Sequence, residues 1–303
     1  MVKQIFLASL LFGASLYNPL FGDVDNNIGC SSCVEECDDC CCPEDVCIDS
    51  LYLTLRHIDP KGVGYEEGYT TLEALYFPFV ENHCFQPFLD VRGHVFNDAE
   101  FAANAGIGLR YLDDCCASWG ANVYYDYRSD RDRKVHFHQI GAGLEYLTDC
   151  FDVRLNGYFP ITRKDCFKKL HGEYETDDLK VECCLESVSF IGGNLEVGVP
   201  FCFFPYVDFY IAGGPYYYDA RKTSKDTWGG QIRLDAFICT NFRVGLIVNH
   251  DSIFDTRVQG VVSFTLPLGG KCVTDCGQSC ALRRVERNEI IVLNELFDWS
   301  WWY

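Results

Sequence analysis

The chain has 303 residues, 48% of them hydrophobic and 15% aromatic, enough for one large domain. No run approaches about eighteen apolar residues, which excludes a transmembrane helix. A formal net charge of −19 excludes nucleic acid as a partner, because phosphate backbones require a basic face.

The first element is an export signal. Lys3 precedes the apolar run Ile5–Leu16, and small Gly22 stands before acidic Asp23, so residues 1–22 read as a secretory signal cleaved near Gly22. Residues 23–49 follow as a Cys/Asp-rich segment carrying Cys30, Cys33, Cys37, Cys40, Cys41, Cys42 and Cys47. Such a stretch cannot bury an apolar core. Its Cys-x-x-Cys spacings suit zinc or iron–sulfur, but adjacent cysteines in an exported chain favour disulfides, and no cofactor is expected. All nineteen cysteines are disulfide candidates, and the odd number leaves one for a bond between chains.

From residue 50 to 269 the hydropathy alternates with a period of two, the mark of strands with one oily and one polar face. The pattern predicts twelve strands: Ser50–Arg56, Tyr69–Phe77, Gln86–Phe96, Phe101–Leu112, Ala117–Arg128, His136–Leu147, Phe151–Phe159, Asn194–Phe201, Tyr206–Tyr218, Trp228–Ile238, Phe242–His250 and Thr256–Leu266. Many run ten to twelve residues, longer than the usual five or six, as an antiparallel transmembrane β-barrel needs. Opposite the apolar parity stand Asp90 and Arg92, Arg110, Asp126 and Arg128, Glu145, Arg154, Arg233 and Asp235, and Arg257. These are the predicted lumen-facing residues. In the ninth strand Gly213-Gly214-Pro215 predicts a bulge or a strand end, because proline removes a ladder donor.

Every second connection is short, and the alternate ones are mostly longer and more charged, the longest being Pro160–Gly193. Outer-membrane barrels have short periplasmic turns and long outer loops, and an even strand number puts both barrel ends on the periplasmic side. The short turns then carry Cys84, Cys115, Cys116, Cys150, Cys202 and Cys239, while Cys166, Cys183 and Cys184 fall in the longest outer loop. No cysteine is expected inside a strand core. His136 and His138 share one face at a strand end; the pair has the spacing for a metal but reads as an interfacial edge. No P-loop, GxSxG or HExxH occurs, and nothing near Asp126, Arg128 and His136 marks a nucleophile, so no enzyme is expected.

Gly106-Ile-Gly-Leu-Arg-Tyr111, Trp119-Gly-Ala-Asn-Val-Tyr-Tyr-Asp-Tyr127, Gly141-Ala-Gly-Leu-Glu-Tyr146 and Leu155-Asn-Gly-Tyr-Phe-Pro160 follow one another in an order that resembles the inverse autotransporter β-domain, the barrel of intimin and invasin. Asp255-Thr-Arg257 and Val285-Glu-Arg-Asn-Glu-Ile-Ile-Val-Leu293 extend the resemblance. It implies a twelve-stranded outer-membrane barrel whose following chain re-enters the pore, partly as a helix, and leads a passenger outward. Here only ten residues follow Leu293, so the expected form lacks a passenger.

The tail, residues 270–303, places Cys272, Cys276 and Cys280 along one face of a possible lumenal helix. Its Arg283, Arg284 and Arg287 are expected to meet Asp90, Asp126, Glu145 or Asp235 on the wall. Asp298-Trp-Ser-Trp-Trp-Tyr303 is aromatic enough to anchor at a membrane interface and does not alternate like a strand. The expected function is structural: an integral outer-membrane protein, inserted by the barrel-assembly machinery and tied by periplasmic disulfides to cysteine-rich envelope proteins. A porin-like channel and a surface adhesin using residues 160–193 are the alternatives.

Overall fold

The computed structural model describes residues 50–80, 85–112, 117–130, 135–162, 164–173, 180–204, 207–220, 226–238, 241–269 and 282–302; of the strand segments 164–173, 180–186, 202–204 and 295–302 it describes the backbone. The signal and the cysteine segment expected over residues 1–49 lie outside these residues. So do Cys84, Cys115, Cys116, Cys239, Cys272, Cys276 and Cys280.

Twelve antiparallel strands close into a barrel. They are β1 (Ser50–Asp59), β2 (Tyr69–Phe77), β3 (Phe85–Phe96), β4 (Phe101–Leu112), β5 (Ser118–Asp130), β6 (Val135–Leu147), β7 (Asp152–Pro160), β10 (Ile191–Phe204), β11 (Val207–Asp219), β12 (Asp226–Ile238), β13 (Phe242–Asp251) and β14 (Asp255–Gly269). Pairing of β1 with β14, from Ser50 opposite Gly269 to Asp59 opposite Gly260, removes both sheet edges. The period-two pattern is the cause. On β3, Leu89, Val91 and Val95 are exposed to the outside, while Asp90, Arg92 and His94 are buried inside. An arginine facing lipid at the bilayer midplane costs about 2–4 kcal/mol, so the parity of each strand is set by its charges as firmly as by its apolar residues.

Between β7 and β10 the structure differs from a plain loop. β8 (Lys164–Glu173) and β9 (Lys180–Ser189) form a hairpin, and β15 (Leu293–Trp302) pairs with β9 to make a separate three-stranded sheet. The register runs from Leu293 opposite Ser189 to Trp302 opposite Lys180. The tail therefore does contain a strand. Its lack of alternation did not matter, because backbone pairing with β9 supplies the partner that an amphipathic face would otherwise need. Cys166 lies on β8, Cys183 and Cys184 on β9 and Cys202 on β10, so the expectation that cysteines avoid strands is corrected for these four.

The bulge or break expected at Gly213-Gly214-Pro215 is also corrected. β11 continues through it, and Gly214 and Pro215 stay paired with Gln231 and Gly230 of β12. Towards β10 the ladder skips Leu195 and Glu196, then resumes in the same register from Asn194 opposite Tyr216. Gly214 permits this passage: a Cβ there would lie 1.9 Å from the Leu195 carbonyl oxygen.

We call the end carrying residues 97–100, 161–190 and 252–254 the loop end, and the opposite end, with residues 148–151, the turn end. At the loop end residues 60–68 fold inward. Tyr65 packs edge-on against Tyr69 at 5.5 Å and Phe96 at 5.9 Å, and Gln259 Nε2 donates to its hydroxyl at 2.9 Å. Burial pushes the Tyr65 phenol above its ordinary pKa.

Candidate functional site: the threaded lumen

A twelve-stranded barrel is intermediate between eight strands, whose lumen side chains can fill, and sixteen to eighteen, which leave a channel. Here the lumen is filled by side chains and one crossing segment, residues 282–292. At the turn end Arg283 Nη1 donates to the Thr148 carbonyl at 2.9 Å and pairs with Asp152 at 2.7 Å. At the loop end the Phe190 amide donates to the Val292 carbonyl at 3.1 Å, and β15 begins at the next residue.

Residues 282–292 form no helix, which corrects the helical expectation for this part of the tail. The reason is visible in where the backbone bonds go. Arg110 Nη1 donates to the carbonyl of Arg283 at 2.6 Å, and Arg92 Nη2 to that of Val285 at 2.9 Å. Asn156 Nδ2 donates to Glu286 at 3.3 Å, Asn104 Nδ2 to Glu289 at 2.8 Å and Arg128 Nη1 to Ile291 at 2.8 Å. The Asn288 amide donates to the Tyr158 hydroxyl at 2.7 Å. The wall thus satisfies carbonyls that a helix would have satisfied internally.

Apart from Arg283, the charged side chains of the segment settle into the Arg287–Asp126 pair and one network around Glu286 and Glu289, joined by Arg284. Arg287 forms a two-pronged pair with Asp126, at 2.7 and 2.6 Å, and its guanidinium lies 4.3 Å from the Tyr124 ring centroid. Gly141 makes room for it, since a Cβ there would fall 2.3 Å from Arg287 Nη2. Glu286 receives Arg233 at 2.6 Å, Arg284 at 2.9 Å and Arg243 at 3.0 Å. Glu289 receives Arg92 at 2.8 Å and is also paired with Arg56 and Arg284, while Arg284 Nε reaches Glu73 at 2.7 Å. In a buried setting, such pairs hold because several donors meet each carboxylate.

All ten residues predicted to face the lumen are buried on the inner wall: Asp90, Arg92, Arg110, Asp126, Arg128, Glu145, Arg154, Arg233, Asp235 and Arg257. Of the four carboxylates expected to meet tail arginines, Asp126 does so. Asp90 instead takes Arg92 at 2.5 Å and the Tyr124 hydroxyl at 2.7 Å. Glu145 takes Arg110 at 2.7 Å, and Asp235 takes Arg243 at 2.8 Å. Sequence reasoning missed Arg56, Glu73, Glu196 and Arg243 on the wall. The signal was present: Arg56 and Glu73 sit opposite the exposed Leu55 and Leu72 in parity. Glu286 and Glu289 were missed for a different reason, because no repeat marks them.

Beyond the charged stretch the segment turns apolar. Ile290, Ile291, Val292 and Leu293 are buried at the loop end. Val292 joins a cluster with Tyr158, Val188, Phe190, Tyr216, Tyr218 and Phe254, and Ile291 and Leu293 join Val135 and Phe137. Burying each such side chain contributes about 1.5–3 kcal/mol, an upper value here because part of that surface is already covered in the unfolded chain. A cavity of about 100 Å³ remains beside the segment, lined by Asn194, Gln231, Asn249, Gln259 and the arginines facing Glu286. Cys150, at the turn end, is half-buried, and His136 and His138 lie on the outside of the barrel.

Residues 86–178 match the family model of the inverse autotransporter β-domain. Among solved structures, a membrane protein from work on in-meso crystallization is similar over 81% of this chain and 100% of its own, with 18% identity and a TM-score of 0.56. The outer membrane protein Omp33 of Acinetobacter baumannii is similar over 73% of this chain and 99% of its own, with 12% identity and a TM-score of 0.35. The β-domain of the Bordetella autotransporter BrkA is similar over 73% and 99%, with 8% identity and a TM-score of 0.35.

Proposed function

Since this chain is an outer-membrane β-barrel of inverse autotransporter type, we propose that it works as a holder of its own C-terminal segment. The barrel keeps residues 282–292 threaded from the periplasmic to the outer side and presents the β8–β9–β15 sheet at the cell surface. One observation carries this reading: a continuous path whose first residues bond Thr148 and Asp152 at the turn end and whose last pair with β9 at the loop end. The longest connections, residues 60–68 and 161–190, lie at the loop end, which favours the turn end as the periplasmic one. The sheet is then the part that meets other cells or surfaces. A porin-like role would need a lumen free of the tail.

The test is an epitope placed after Tyr303. We expect antibody to label it on intact cells; label appearing only after the outer membrane is permeabilised would overturn the reading.

Within the same reading the cysteines of the periplasmic connections tie the barrel to cysteine-rich envelope proteins. Half-buried Cys150, in the turn whose Thr148 side chain caps the Phe151 amide at 2.9 Å, favours this: a fixed turn holds the thiol at the membrane edge. Native envelopes should show bands larger than the monomer on non-reducing gels, collapsing when reductant is added. A monomer band alone under both conditions would remove the cross-linking role.

A further inference from the structure

The outer wall of the barrel carries a basic group of one kind only. Among the described lipid-facing positions of the barrel strands there is neither lysine nor arginine, yet His57, His136, His138 and His250 all face outward. All four lie within four residues of the loop end of their strands, on β1, β6 and β13.

Each of them is held in the same way. His57 Nδ1 bonds the Thr70 hydroxyl at 3.0 Å, and His250 Nδ1 bonds the Thr256 hydroxyl at 2.9 Å, both across directly paired strand residues. His136 Nδ1 bonds the Tyr127 hydroxyl at 2.8 Å and His138 Nδ1 the Tyr125 hydroxyl at 2.6 Å, both diagonally across β5 and β6. The Tyr127 and His136 rings stack at 5.9 Å. The chemistry follows from the bond. Either partner can donate across such a bond; in the tautomer where the hydroxyl donates into Nδ1, the ring proton lies on Nε2. The wall fixes each imidazole by Nδ1 and leaves Nε2 for whatever lies outside, as an N–H donor in that tautomer and in the imidazolium.

At this depth and on this face, the partner is lipid. Below the histidines are exposed Leu72, Val123, Leu246 and Val258, which belong against acyl chains. The histidines sit above that band, where headgroups lie. We propose that His57, His136, His138 and His250 form an anchoring girdle that binds the phosphates of lipid headgroups in the leaflet at the loop end of the barrel. A phosphate oxygen accepts from an N–H whether the ring is neutral or charged, and an imidazolium adds attraction to the anion. The opposite end of the wall is built differently: Phe85 packs with Tyr111 and Trp119 with Tyr146, and no histidine faces outward there among the described residues. The girdle is thus specific to one leaflet.

The test uses the full chain in phosphatidylcholine nanodiscs doped with diphosphorylated lipid A, and with fully dephosphorylated lipid A in a second arm. Retained lipid is counted by native mass spectrometry after partial stripping. We expect the phosphorylated lipid to be retained roughly fivefold above its share of the disc, the dephosphorylated one at its share. A variant combining His57→Gln, His136→Gln, His138→Gln and His250→Gln should lose the enrichment while keeping the slow mobility of a folded barrel on unboiled gels. Lysine at the same four positions should restore it, which also covers the case of a misfolded glutamine variant. Equal retention of both lipids, or enrichment undiminished in the folded glutamine variant, would overturn the proposal.

Discussion

Asp126 accepts four hydrogen bonds, two from Arg287 and one each from Asn104 and Gln139. A carboxylate this deep tolerates its charge only because those donors are in place, and Arg287 depends on it equally. Removing one partner leaves an uncompensated buried charge, at a cost of about 3–5 kcal/mol. Asp126→Ala should therefore convert to the unfolded form at a clearly lower temperature on unboiled gels. Joining Asp126→Leu to Arg287→Met removes both charges and should recover much of the loss. If the double variant is no better than the single one, the pair is not what holds this position. Arg283 pairs with exposed Asp149 at 3.4 Å and with buried Asp152 at 2.7 Å, but Asp152 keeps Arg154 at 2.9 Å and the Tyr210 hydroxyl at 2.8 Å, so Arg283→Ala should cause a smaller shift than Asp126→Ala.

At the scale of elements, β10 and β11 meet through the narrow passage at Gly214. Gly214→Val should cost about 1–3 kcal/mol by forcing the backbones apart, read from the same heat conversion. Gly230, on the neighbouring strand β12, has open space around its Cβ position, and Gly230→Ala should be neutral. The strands of the barrel were legible from sequence because alternation is local: Leu89-Asp90-Val91-Arg92 states its own two faces. The β15–β9 pairing was not, since it joins residues over a hundred positions apart and rests on backbone bonds that any sequence can make. The lumenal wall was legible as a set of charges but not as a set of pairs. Parity places Asp90 and the expected re-entry of the tail places Arg284 in one interior, and only geometry gives Asp90 to Arg92 and Arg284 to Glu73. The extended tail was missed because i, i+4 cysteines suggested a helix, while the wall donors that make an extended chain affordable are spread over β3, β4, β5 and β7.

For the whole molecule, the crossing segment and the wall neutralise one another, so removing the segment should change two properties together. A chain ending at residue 281 should conduct in planar bilayers where the full chain is closed, and it should unfold at lower temperature because Arg92, Arg233 and Asp126 lose partners. Conductance equal in the two forms would mean that the segment does not close the pore. The wall donors that grip main-chain carbonyls have a further consequence. Every residue of a polypeptide brings a carbonyl, so the grips on residues 283, 285, 286, 289 and 291 do not depend on which side chains those residues carry. Only the glutamates and arginines of the segment distinguish one position from the next. The main-chain contacts thus hold an extended chain without fixing its register, and the side chains of residues 284–289 fix it.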